Sequence, residues 1–332
     1  MSLPGIAVRI ETHDPIEFQE ATAPWDTTLL QIAPGAFHSQ TEYVQVNDIV
    51  FYREHWNQRM IATGTTPEGY FVFGGSLSSP SGEAIAWCGD KANREQLAFG
   101  RPASEMEIIF PHDTNHIGLL IPLQTMRHYF GEELLAHALM TTHHHLKCNQ
   151  HHNSDLITLL DRMVSKYMAN PALLTNAHEC NAAELQLMDS LAESFDVFHK
   201  QSHRATTGHQ RRHTLHRAIN ISKNIRAPIT VPELARKSGM SQRSLELAFH
   251  ESLGISPRLY LLRRRLNSVH SELLVSDTGS GKVTEIALRW GFTELGRFAG
   301  YYKHLFGESP SVTLNSSKAT LEKRLSDIMP SK

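Results

Sequence analysis

Two stretches of this chain repeat one plan. Each has an apolar-faced helix, a turn containing glycine, and a second helix that begins with polar residues. The first is TVPELARKSGMSQRSLELAFHESLG, Thr230 to Gly254. The second is KVTEIALRWGFTELGRFAGYYKHLFGESPSVTL, Lys282 to Leu314. A helix-turn-helix of this kind presents its second helix to a DNA major groove.

Local chemistry fixes the ends of these helices. Thr230 and Glu233 form a T-x-x-E capping box, and Pro232 sits in the first turn, where its missing N–H costs little. Gly239 ends the first helix and Ser241 caps the next, which buries Leu245, Ala248 and Phe249. In the second unit Ile286, Ala287 and Trp290 form the buried face, Gly291 makes the turn and Thr293 reads as a cap. Leu295, Phe298 and Tyr302 then share one side of the following helix. Gly296 and Gly300 inside that helix cost about 1 kcal/mol each against alanine. Either DNA backbone or a second helix approaches them closely. Between the units, Ser256-Pro257 opens a helix in which Leu259, Leu262, Leu266, Val269 and Leu273 recur at three or four residues. It reads as one amphipathic linker helix.

A chain of 332 residues accommodates two domains. The whole-chain charge of −2 conceals an asymmetry. From Arg211 onward there are 20 Lys/Arg against 10 Asp/Glu, and residues 1–210 carry 12 against 24. The basic half suits phosphate contacts and the acidic half is repelled by the duplex. No apolar run approaches a membrane span, and the start lacks a secretory signal. Cys88, Cys148 and Cys180 imply no disulfide framework. The sequence therefore predicts a cytoplasmic protein with no membrane partner.

Residues 1–26 show little pattern and read as an extended arm. From about 27 to 123 the texture is β: short strands broken by Pro34-Gly35, Asn47-Asp48, Pro80-Ser81 and Pro111-His112, as in a small barrel or sandwich. From about 124 to 200 the period becomes helical, with Leu156, Leu159, Leu160, Met163 and Tyr167 on one face and Leu185, Leu187, Met188, Leu191 and Phe195 on another. These faces suit either a homodimer or packing on the chain's own barrel, and the homodimer is preferred. Residues 201–214 read as an interdomain linker. The DNA-binding half spans 215–320, with its two units at 230–254 and 282–314. The predicted class is α+β, with a β-barrel and helices in residues 1–200 and an all-α double helix-turn-helix after the linker.

Candidate site residues follow from position. In the first unit Gln242, Arg243 and Glu246 suit base contact, and Leu247 and His250 lie near the same face. In the second unit Arg297 is the main polar candidate, beside Glu294, Leu295 and Lys303. Arg263 and Arg264 suit phosphate contacts or solvated charges. A barrel mouth is a natural small-molecule site. Trp25, Phe37, Tyr43, Tyr52, Trp56, Phe71 and Trp87 are candidates to line it, with Arg59 or Glu54 orienting a polar ligand. Aromatics in a small barrel serve equally as core. His144, Cys148, His151 and His152, within the histidine-rich stretch from His137, have spacings zinc accepts. A polar loop explains them as well. No GxSxG elbow, P-loop or GxGxxG fingerprint occurs, and no catalytic residue or cofactor is predicted.

The stretches LARKSGMSQRSLELAFHESLGISPRLYL, RRLNSVHSELL, VTEIALRWGF and GRFAGYYKHLFGESPS resemble the AraC/XylS family of bacterial transcription regulators. The GRF and FGESPS pieces are most similar to the subgroup of benzoate- and ethanolamine-responsive regulators, which usually has histidine where this chain has Glu294. Leu30, Pro34, Gly35 and Phe37 are similar to the ethanolamine-regulator subgroup. The resemblance implies a cupin-like barrel, a small-molecule effector, double-stranded promoter DNA and RNA polymerase as partners, pairing of subunits through the helices after the barrel, and activation of transcription. Two alternatives are a metal-responsive regulator acting through the histidine-rich stretch and a cupin enzyme fused to a DNA-binding module.

Overall fold

The computed structural model describes residues 5–22, 25–80, 82–92, 96–140, 145–147, 150–195, 207–223, 228–276 and 281–316. Its N-terminal part is β-rich. The strands are β1 (Gly5–Thr12), β2 (Asp26–Gln31), β3 (Ser39–Val46), β4 (Ile49–Trp56), β5 (Met60–Thr65), β6 (Tyr70–Ser78), β7 (Ile85–Trp87), β8 (Asp90–Ala92), β9 (Gln96–Gly100), β10 (Glu105–Phe110), β11 (Thr114–Pro122) and β12 (His145–Lys147). They form two antiparallel sheets, one in the order β1-β3-β4-β11-β6-β9-β12 and one in the order β2-β5-β10-β7-β8. The cupin-like fold is thus a double sheet and not a single closed barrel.

Alternation along the strands builds the layers, because successive side chains point to opposite faces. On β4, Phe51 joins the core under the following helices, whereas Tyr52 joins the core between the sheets. Leu119 and Leu120 on β11 divide in the same way. The helices over the larger sheet are α2 (Leu123–Met140), α3 (Gln150–Ala169) and α4 (Ala177–Phe195). Leu156, Leu160, Met163 and Tyr167 on α3, with Leu187, Met188 and Leu191 on α4, all enter the core they share with that sheet. Most of the residues on the apolar faces suited to a homodimer are therefore used within the chain, while Leu185 stays 52% exposed.

Two expectations need correction. The presumed extended arm at residues 1–26 contains β1, paired with β3 from Gly5↔Val46 to Thr12↔Ser39, and a helix, α1 (Pro15–Ala21). Asp14 caps α1 by accepting from the Ile16 N–H at 2.8 Å, and Pro15 follows it. The presumed linker at 201–214 is partly helix, since α5 (Thr207–Lys223) begins inside it; residues 201–206 lie outside the described residues.

The C-terminal part continues with α6 (Val231–Lys237), α7 (Gln242–Leu253), α8 (Pro257–Val275), α9 (Lys282–Arg289), α10 (Leu295–Phe306) and α11 (Pro310–Asn315). The capping box at Thr230 and Glu233 is complete, and Ser241 and Ser256 cap α7 and α8. Thr293 is not the cap of α10: Glu294 occupies that position, and its side chain makes no capping hydrogen bond. Gly291 does make the predicted turn, at φ +77°, where a Cβ would meet Pro228 Cγ at 2.6 Å. Both the backbone and the space there require glycine.

The smaller sheet joins the two parts. Ala62 on β5 and Ile108 and Phe110 on β10 point between the sheets, while their neighbours Ile61 and Ile109 point outward. The outward pair and Ile32 share one core with Leu215 and Ile219 of α5, Leu245 and Phe249 of α7 in the first helix-turn-helix, and Tyr260 of α8. The second unit has its own core of Leu266, Leu273, Ile286, Phe298, Tyr302 and Leu305, among others.

Candidate nucleic-acid interface and barrel cavity

On α7, Gln242 and Arg243 are exposed at the first turn, His250 is exposed a little further on, and Leu247 is 42% exposed despite its apolar side chain. Glu246 is half-exposed, and its Oε2 lies 3.7 Å from His250 Nε2. The sequence-predicted candidates therefore share one open face of this helix. On α10, Glu294, Leu295, Arg297 and Lys303 are likewise exposed. Arg297 is tethered to Glu294 at 3.2 Å, so it must exchange this partner to reach a base or phosphate. Among the described residues, a Cβ added at Gly296 or Gly300 would meet nothing within 4 Å. No helix–helix contact among the described residues explains these glycines, and they leave the outer face of α10 smooth.

Two basic residues that sequence reasoning missed line a cleft between α8 and the second unit. Arg258 and Arg265 stand there with Arg297, Thr293 and Tyr301. Arg265 lies over the Phe292 ring at 4.8 Å, and burial lowers its guanidinium pKa. Runs such as RRR carry no signal of which member faces outward. Arg264, by contrast, donates to the Lys223 carbonyl at 3.1 Å and so closes the C-terminal end of α5.

The β-domain grips the last turns of both α7 and α10. Arg59 Nη2 donates to the Ser252 carbonyl of α7 at 3.2 Å. The Gly35 N–H and Gln31 Nε2 donate to the Leu305 carbonyl of α10 at 2.9 and 2.7 Å. Carbonyls at a helix C-terminus lack intrahelical partners, so each bond satisfies a group that would otherwise need water. Between these grips, Asn267 of α8 accepts from the Gln31 N–H at 2.9 Å and donates to the Gln31 carbonyl at 3.1 Å. Arg59 is therefore an interdomain residue and does not orient a barrel ligand.

A buried polar chain completes the junction. His270 of α8 sits 2.6 Å from Asp14 Oδ2 and 2.6 Å from the Tyr302 hydroxyl, which donates to Thr313 at 2.8 Å. Burial acts to raise the Asp14 pKa, but the charge and hydrogen bond of His270 outweigh it, and the carboxyl is held below its usual value. A depressed carboxyl stabilises the fold above the ordinary aspartate pKa, about 3.9, and loses that contribution as pH falls through the lower folded value. Asp14→Asn is expected to reduce stability at neutral pH and to flatten the pH dependence in the acid range. Urea denaturation from neutral to acid pH measures this. A variant that keeps the wild-type acid slope rules out Asp14 as its source.

Between the sheets lies a small cavity of about 50 Å³. Trp25, Tyr43, Glu54 and Trp56 line it as the sequence suggested, together with Tyr52 and Trp87. Phe37 packs behind Trp56, with ring centroids 5.9 Å apart, and does not line the cavity. Phe71 belongs to the core on the other side of the sheet. His116, which sequence reasoning left unassigned, places Nε2 2.7 Å from Glu54 Oε2. The two face each other because β11 pairs with β4 in the register His116↔Glu54. Burial first, and the Glu54 charge second, push the Tyr43 and Tyr52 hydroxyls well above their usual pKa.

His144 and Cys148 lie outside the described residues, as do the side chains of His137, His151 and His152; in that stretch the backbone of the end of α2, of β12 and of the start of α3 is placed. Among the described residues, Glu11, His13 and His38 bring three ligand atoms within 4.8 Å of one another on the surface. No helix of the described chain is long and apolar enough to cross a membrane.

Helices α6 to α11 form a tandem helix-turn-helix module, with its two second helices, α7 and α10, facing outward. Residues 234–316 match a family described as a helix-turn-helix domain. The chain is 45% identical over 96 residues to the probable thc operon regulatory protein of Rhodococcus erythropolis, covering 29% of each chain. It is 40% identical over 98 residues to XylDLEGF operon transcriptional activator 2 of Pseudomonas putida, covering 30% of this chain and 62% of that one. A solved probable AraC family transcriptional regulator from Rhodopseudomonas palustris CGA009 is 38% identical, covering 31% of this chain and 94% of that one, with a TM-score of 0.28. The matches span less than two thirds of either curated relative. The chain carries the DNA-binding domain of the AraC/XylS family.

Proposed function

We propose that this protein is a sequence-specific DNA-binding transcriptional regulator, in the main an activator, controlled by a small molecule held between its two sheets. Residues up to about 200 serve the ligand and 215–320 serve DNA. Gln242, Arg243 and Glu246 read bases in one half-site, and Arg297, beside Glu294 and Leu295, reads the other. Leu247, His250, Lys303, Arg258 and Arg265 add packing and phosphate contacts. The reading assigns no catalysis to the chain and places it in the cytoplasm. RNA polymerase and a second copy of the chain are its protein partners. Exposed Leu139, Met140 and Leu185 on α2 and α4 offer apolar surface for the latter.

The observation that carries the proposal is the double grip on the recognition helices. One end of the smaller sheet, through Gln31 of β2, Gly35 in the loop after it and Arg59 just before β5, bonds to the last turns of both α7 and α10. Two helices that must enter successive major grooves need a set spacing of about 34 Å. A ligand that shifts β2 or β5 changes how that spacing is held. It acts only through a difference in affinity between the arrangements.

The test is run-off transcription with purified protein and bacterial RNA polymerase, on promoters chosen by mapping the protein's occupancy in its source cell. The proposal expects discrete sites beside promoters and a rise in transcript at some of them. Occupancy without a shared motif, and no change in transcript at any promoter, overturns it.

A further inference from the structure

The cavity between the sheets has a one-sided chemistry. Among the described residues, its only acidic or basic side chains are Glu54 and His116, and no lysine or arginine lines it. Both are deeply buried, at 5% and 4% exposure, so the carboxylate acts in a medium of low dielectric. Around Glu54 stand aromatic rings at several angles. Tyr43 and Tyr52 lie 5.4 Å apart and tilted by 46°, Tyr52 stands edge-on to His116, and Trp56 stands edge-on to His116 at 5.8 Å. Trp25 and Trp87 add two more π faces. Ring faces attract cations and repel anions.

The hydrogen-bond ledger points the same way. His116 Nε2 is committed to Glu54, whereas His116 Nδ1 is buried with no partner. In the neutral tautomer that donates Nε2–H to the carboxylate, Nδ1 presents a lone pair, an acceptor like the carboxylate itself. Acceptors next to a carboxylate call for a donor-rich ligand. An anion placed there meets the Glu54 carboxylate with no lysine or arginine beside it among the described residues, and burying two like charges together is costly. The orphaned Trp56 Nε1 leaves room for one neutral acceptor atom on the same ligand.

We propose that the cavity takes a small organic ammonium, with its charged nitrogen against Glu54 and its apolar body among Trp25, Tyr43, Tyr52 and Trp56. This inference rests on the reading of the cavity as the effector site, and it names the chemical class of the effector. It also assigns His116 as a positioning residue that holds the Glu54 carboxylate and offers a second acceptor.

Three probes of nearly equal size and different charge test it: benzylamine, benzamide and benzoate. Three of the chain's four tryptophans line the cavity, so titration of intrinsic fluorescence reports its occupancy in the full-length protein. The proposal expects benzylamine to bind at least about tenfold tighter than either other probe, and Glu54→Gln to remove about tenfold or more of that affinity. The comparison among probes is made on the unaltered protein, so it stands even where Glu54→Gln does not fold. Tighter binding of benzoate or benzamide overturns the ammonium assignment and leaves the effector site in place. No response to any of the three up to millimolar concentration overturns both.

Discussion

Phe249→Ala is expected to destabilise the first helix-turn-helix by about 3–5 kcal/mol, the cost of deleting a fully buried aromatic ring. Phe249 is 0% exposed and meets Tyr260 edge-on, with ring centroids 5.0 Å apart. Its cluster contains Leu215, Leu234 and Leu245 from three helices, and Ile32, Ile61 and Ile109 from the β-domain. The void therefore opens at the point where the two parts share a core, and they are expected to lose stability together. Differential scanning calorimetry measures the effect against Leu247→Ala, an exposed position two residues away on the same helix, where about 0.5 kcal/mol or less is expected. Equal melting temperatures for the two variants would place Phe249 outside the core described for it.

Arg243→Ala is expected to act on recognition and leave the fold unchanged. Arg243 is exposed at the start of α7, the end of a recognition helix that reaches base edges. A guanidinium can hold both acceptors of a guanine, worth about 1–3 kcal/mol of discrimination, or about 5–150-fold in affinity. The loss falls on one base pair of one half-site. Arg265→Ala at the α8 cleft is expected to differ. It weakens binding about equally on all sequences and reduces the slope of log K against log salt by about one phosphate contact. Fluorescence anisotropy on a panel of single-base variants, at several salt concentrations, separates the two. Uniform weakening by Arg243→Ala would move that residue from base reading to phosphate contact.

Much of the DNA-binding half was legible because its signals are local. Thr230, Ser241, Ser256 and Gly291 decide their helix ends with chemistry from neighbouring residues, and the structure reproduces each. Thr293 misled because a threonine before a helix looks like a cap whether or not its backbone occupies the capping position. The β-domain was legible as a small barrel or sandwich but not in its strand order, since pairing order is a long-range property. Strand β1 was missed because it is an edge strand whose partners are polar: Thr12 meets Ser39 at 2.6 Å and Arg9 meets Glu42. The Asp-Pro signal for α1 was present in the sequence and passed over.

The sites divide along the same line. Trp25, Tyr43, Glu54 and Trp56 reached the cavity because residue type selected them. His116 did not stand out, since nothing local reveals that strand register sets it opposite Glu54. Arg59 was assigned to a ligand because it is a cation near aromatics, yet it turns to the last turn of α7. Ile61 and Ile109 read as ordinary core, and in a sense they are. The core they enter spans the β-domain and the first helix-turn-helix, which alternation alone does not reveal.

Selection of binding sites from random double-stranded DNA by the purified chain tests the central claim most directly. The account predicts an enriched bipartite motif whose half-sites are centred one helical turn apart, about 10–10.5 base pairs. Arg243→Ala should relax one half, and Arg297→Ala the other. Enrichment of no motif, or of a motif indifferent to both substitutions, would contradict the assignment of α7 and α10 as paired recognition helices.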